Sequence, residues 1–103
     1  MAAQLAVRQV DAAGDIGNEK VVIVNLAGNV DLAGWTLRDL RGHVFTLPAL
    51  VLHEGGAVAV HTAAGTDTVI DLYWGLSAPV WRSGEQVVLA DPSGGQHTTF
   101  TVP

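Results

Sequence analysis

Apolar and polar residues alternate along most of this chain, in short runs. LAVRQV (5–10), KVVIVN (20–25) and AVAVHT (57–62) are β-branched with period two, the pattern of a strand that turns one face to a core. The same reading gives strands at WTLRD (35–39), VFTLP (44–48), TVIDLYW (68–74), QVVLA (86–90) and QHTTFTV (96–102). Clusters of Gly, Asp, Asn and Pro separate them. DPSGG (91–95) reads as a hairpin turn, since proline presets φ and glycine accepts a positive φ. No long segment keeps an apolar 3.6 period free of Gly or Pro, and no heptads appear. The pattern therefore predicts an all-β antiparallel sandwich with helix nearly absent.

One stretch breaks the rhythm. In NVDLAGWTLRD (29–39) a Trp directly follows a Gly. Asp31 can bond the backbone of the next two residues, Gly34 can take a positive φ, and Trp35 then opens a strand with Leu37 on its own face. Gly34 turns the chain and Trp35 anchors it, with Leu32 packing into the same core. A buried Trp at such a place fills the space between two sheets about 10 Å apart.

A length of 103 residues suits one domain spanning 1–103, and 49% apolar against 15% charged residues is the make-up of a packed protein. Ten acidic and five basic side chains leave a net charge of −5. Arg8, Lys20, Arg38, Arg41 and Arg82 are spread singly, so no basic stripe is available to phosphates and nucleic acid is not an expected partner. The absence of Cys removes disulfides and thiolate metal sites. No apolar run reaches the length of a membrane span, and MAAQLAVRQV lacks the pattern of a signal peptide.

Three blocks carry a resemblance. Glu19-Lys20-Val21-Val22-Ile23-Val24-Asn25, Asp31-Leu32-Ala33-Gly34-Trp35-Thr36-Leu37-Arg38-Asp39 and Gly42-His43-Val44-Phe45 are similar to the E-x-V-x-I-x-N, D-L-x-G-W-x-L-x-D and G-x-x-F motifs of the lamin-tail domain family. Val58 to Thr62, Asp71 to Trp74, Val80-Trp81, Gly84 and Val87 to Leu89 resemble its later blocks in the same order. The resemblance implies an immunoglobulin-like antiparallel β-sandwich of about seven to nine strands. It also implies a non-catalytic docking or accessory module. Prokaryotic domains of this kind occur in secreted or envelope proteins, often beside hydrolases, and this Ala- and Gly-rich chain suits that branch; it has no coiled-coil rod. On this reading the domain is cut from a larger protein. The sequence departs from the family at Gly84-Glu85-Gln86, where Gly-Asp is usual, and at Glu54-Gly55-Gly56, where Pro-Gly is typical.

Reaction chemistry finds little footing. His43, His53, His61 and His97 are dispersed and form no H-x-x-x-H or H-E-x-x-H frame, so neither a metal nor another cofactor is expected. Ser77 in WGLSAP lacks the second glycine of a nucleophile elbow. Asp67 and Asp71 flank TVI on one face and read as a solvated edge rather than an acid and base pair. The loop DAAGDIGNE offers Asp11, Asp15, Asn18 and Glu19 as oxygen ligands for calcium, without EF-hand order; the plainer reading is a loop whose Asp and Asn support turns. At Glu19 the resemblance implies a structural role where the strand begins.

Aromatic residues are the candidates for recognition. Tyr73 and Trp74 are adjacent, so in a strand they face opposite ways and one should lie outside. With Trp81 and Arg82 the exposed ring would form a patch of the kind enriched at interface hot spots; the plainer reading makes the rings core anchors. The expected partner is another protein, or a second copy joined through an edge strand. The alternative is a passive spacer presenting an adjacent enzymatic domain.

Overall fold

Alternation becomes ten strands among residues 4–103, which the computed structural model describes. They are β1 (Gln4–Asp11), β2 (Lys20–Ala27), β3 (Val30–Asp31), β4 (Thr36–Arg38), β5 (Val44–Thr46), β6 (Val51–Leu52), β7 (Ala57–His61), β8 (Asp71–Tyr73), β9 (Gln86–Ala90) and β10 (Gln96–Thr101). Two four-stranded sheets, ordered β1-β2-β7-β8 and β10-β9-β4-β5, form an immunoglobulin-like sandwich, with the short pair β3-β6 beside them. No helix occurs among the described residues.

Period two explains the core. Val21, Ile23 and Asn25 point inward from β2, Val58 and Val60 from β7, Leu37 from β4, and Val87 and Leu89 from β9. Each aliphatic side chain so buried contributes about 1.5–3 kcal/mol. The GW stretch behaves as its sequence predicts. Asp31 Oδ1 accepts from the Ala33 N–H at 3.0 Å, Gly34 has φ of +83°, and Leu32, Trp35 and Leu37 join the core. A Cβ at Gly34 would also press on the hairpin, standing 3.2 Å from Pro92 Cβ. Pro92 belongs to the β9–β10 hairpin, whose turn Asp91 closes by accepting from the N–H groups of Ser93 and Gly95.

Three features depart from the alternation. β3 and β6 are two-residue strands, too short to show a period. The run 68–74 is a strand only from Asp71, because Thr68 Oγ1 accepts from the N–H groups of Ile70 and Asp71 and bends the chain before it. β8 then pairs parallel with β7, the one parallel pair among strands that otherwise run antiparallel, because residues 62–70 carry the chain back to the start of β7.

Candidate interaction surface

Three polar letters of the sequence motifs, Glu19, Asn25 and Asp39, turn inward, while Asp31 stays exposed. Glu19, Asn25, Asp39 and Thr62 are the buried polar side chains among the described residues. Glu19 Oε1 accepts from the N–H of Gly14 at 2.8 Å and of Trp81 at 3.2 Å; Oε2 accepts from the Thr62 hydroxyl and from the Val80 N–H at 2.9 Å. One carboxylate thus ties together the β1–β2 loop, the end of β7 and the segment before β9. Asn25 donates to the carbonyls of Gly28 at 2.7 Å and Leu52 at 2.9 Å, closing the turn after β2 onto β6.

Asp39 holds the β4–β5 turn. Its Oδ1 accepts from the N–H groups of Arg41 and His43, both at 2.9 Å, and its Oδ2 meets His43 Nδ1 at 2.7 Å. Burial raises this carboxyl, but hydrogen bonds from the His43 ring and from the His43 and Arg41 backbones, with the charge on His43, outweigh it and hold the group below the ordinary value of 3.8. Arg41 reaches onward to the Val80 carbonyl and to Glu85 at 3.0 Å. Val80 is therefore held at its N–H by Glu19 and at its carbonyl by Arg41, and Trp81, outside any strand, is carried into the core at 1% exposure.

The carboxylate oxygens of the calcium-candidate loop accept hydrogen bonds from within the protein. Asp15 accepts from Gly17 N–H and the Asn18 amide, Asp11 accepts from the Gln9 amide, and Glu19 is interior. Among the described residues no group of three His, Asp or Glu is placed to share an ion. The histidines have separate partners: His43 with Asp39, His53 with Asn29, His61 with Asp71 at 2.8 Å, and His97 with the Leu5 N–H and, in a T-shaped pair, with the Trp35 ring. Asp67 and Asp71 part company likewise, Asp67 accepting from the Tyr73 N–H at 2.9 Å. Ser77 is exposed in a loop.

The four recognition candidates occupy different depths. Tyr73 lies flat on the His61 ring, with centroids 4.6 Å apart, and the Gly65 backbone presses against it. Trp74 is half-buried where the sheets meet, touching Phe45, His43 and Trp81 at ring distances of 5.6, 6.4 and 6.2 Å. Trp81 is interior and backs Trp74 from below, and Arg82 is exposed. Tyr73, Trp74 and Arg82 thus reach the surface, while Trp81 does not.

The Lamin Tail Domain family model matches residues 2–103, nearly the whole chain. The chain belongs to the lamin tail domain family. No curated protein matches it closely enough to add a named relative. The family is one of immunoglobulin-like interaction modules, and no helix among the described residues is long and apolar enough to cross a membrane.

The surface of this lamin tail domain carries several large apolar side chains. Leu26, Leu40, Val44, Val51, Val69 and Ile70 are each more than half exposed. Sequence alternation missed these residues as surface features. Val44 and Val51 lie in strands too short to fix which face is buried, and Val69 and Ile70 were read as part of β8. β8 itself offers no free edge at Asp71, whose N–H and carbonyl are taken by Thr68, nor at the Tyr73 N–H, taken by Asp67. The outer edge of β5 differs. Trp35 with Leu47 and Asp39 with His43 are bonded pairs, so Val44 and Thr46 direct their N–H and carbonyl groups away from β4.

Proposed function

We propose that this lamin tail domain is a non-catalytic docking module of a larger prokaryotic secreted or envelope protein. It holds a protein partner, or a second copy of itself, at an open strand edge. The observation that carries this reading is the outer edge of β5: unpaired backbone groups at Val44 and Thr46 stand beside exposed Val44 and Leu40 and half-exposed Trp74. Edge strands pair with added chains unless charge or a covering segment prevents it. Tyr73 and Arg82, which also reach the surface, are further candidates for contact with the partner. The buried polar network supports the same reading from the other side, because Glu19, Asn25, Asp39 and Thr62 are all spent on holding loops rather than on a substrate.

Light scattering across concentration, paired with capture of binding proteins on the immobilised chain, tests the reading. The wild type should self-associate or retain a partner, and the Leu40→Lys, Val44→Lys double variant should lose this while keeping its circular dichroism. A wild-type chain that stays monomeric, and retains nothing the variant loses, would favour the passive spacer.

A further inference from the structure

Val69 and Ile70 are 71% and 61% exposed, yet they sit in a firmly tied bend. Thr68 Oγ1 accepts from the Ile70 and Asp71 N–H groups, Thr68 N–H donates to the Asp71 carbonyl at 2.8 Å, and the Ile70 carbonyl accepts from Ala59 N–H at 2.9 Å. Keeping two β-branched side chains in water forgoes the hydrophobic gain of burying them. Across from them stands β6, with Val51 51% exposed. Between lies an open apolar groove of about 420 Å³, lined chiefly by Leu50, Val51, Leu52, Ala57, Val69 and Ile70.

The wall formed by β6 also carries free main-chain groups. Leu32 N–H donates to the Leu50 carbonyl at 2.9 Å, which makes Asp31 and Val51 the non-bonded pair of the β3-β6 ladder. The N–H and carbonyl of Val51 therefore point away from β3, and no other strand among the described residues pairs with β6. The chain carries a net charge of −5, and carboxylates neighbour the lining residues along the strands. Asp31 stands opposite Val51, Glu54 follows His53, Asp71 follows Ile70, and no Lys or Arg lines the groove. Three exposed side chains make a patch of a few hundred Å² at most, well short of the roughly 800 Å² per partner of a stable globular interface. That apolar area is small for the centre of an interface with a second folded copy. It suits one added strand, which gains main-chain hydrogen bonds and seats alternate side chains in a pocket.

We infer that the groove takes an extended segment of a partner protein, added to the outer edge of β6, with an aliphatic side chain between Val51 and Ile70 and Lys or Arg on its flanks. The inference rests on the docking reading but places the contact on a different edge. Its test is ¹⁵N-detected NMR titration with the capped peptide acetyl-KTVTVTK-amide, using acetyl-KTTTTTK-amide as control. Saturable shifts are expected at Val51, Leu52, Ala57, Val69 and Ile70. The Val51 amide should gain exchange protection, the all-Thr peptide should bind much more weakly, and Ile70→Thr should weaken binding about fivefold or more with the fold unchanged. Shifts centred on Val44, Thr46 and Trp74 would overturn the groove and leave the docking reading standing. Equal binding of both peptides would reduce the effect to charge and overturn it as well. So would the absence of saturable shifts, with the docking reading then decided by the capture experiment alone.

Discussion

Glu19 is the residue whose replacement should be felt most for its size. Its carboxylate accepts four hydrogen bonds inside the protein, from Gly14, Val80 and Trp81 backbone N–H groups and the Thr62 hydroxyl, at 1% exposure. Ala in its place leaves buried donors without an acceptor, at about 1–3 kcal/mol each and not fully additive, so the expected loss is about 3–5 kcal/mol. Gln keeps the shape but turns one accepting oxygen into a donor facing N–H groups, for about 2 kcal/mol. Thr62→Val removes a single donor and should cost about 1 kcal/mol. Domains of this size are stable by about 5–15 kcal/mol, so the Ala variant sits near the limit of folding. Urea unfolding followed by Trp fluorescence measures the series. With a slope of about 1.5 kcal/mol/M the midpoint should fall by about 2–3 M for Ala, somewhat over 1 M for Gln and less for Thr62→Val. A Gln midpoint indistinguishable from wild type would refute the claim that this carboxylate holds the Val80–Trp81 segment.

Asp39 gives a prediction in pH. Its folded carboxyl lies below its ordinary 3.8, so the stabilisation is present in full above that value and is lost as pH falls through the folded one. The stability gap between wild type and Asp39→Asn should thus shrink as pH falls below 3.8, as denaturant unfolding at several acidic pH values would read; a gap that widens below that value would contradict the assignment. Gly65→Ala should lower the melting temperature, since a Cβ would come within 2.5 Å of the Tyr73 ring. Its cost is about 1–3 kcal/mol, and the displaced ring should change the proton shifts of His61; an unshifted His61 with unchanged melting would show that the contact is slack.

The strands and the core were legible because period two is a local property. Val21, Ile23, Val58, Val60 and Leu37 declare their side of the sheet by spacing alone, and the GW turn declares itself through Asp31 and Gly34. The β9–β10 hairpin was equally local, with Asp91 capping its own turn. The site was less legible. Adjacency of Tyr73 and Trp74 could say that they face apart, but not that His61 would stack on one and that Phe45 and Trp81 would flank the other.

The sequence by itself determined an all-β chain, its main strands, the Trp35 anchor and the family motif, since each depends on residues a few positions apart. Only the tertiary structure decided the parallel placement of β8, the burial of Trp81 outside any strand, and the facing of Val51 with Val69 and Ile70 across a groove. These depend on hydrogen bonds between positions far apart in sequence, such as Glu19 to Val80 and Arg41 to Val80, and on which backbone groups remain unpaired once both sheets have closed. Spacing along a chain fixes which side of a strand is apolar; it does not fix what stands opposite.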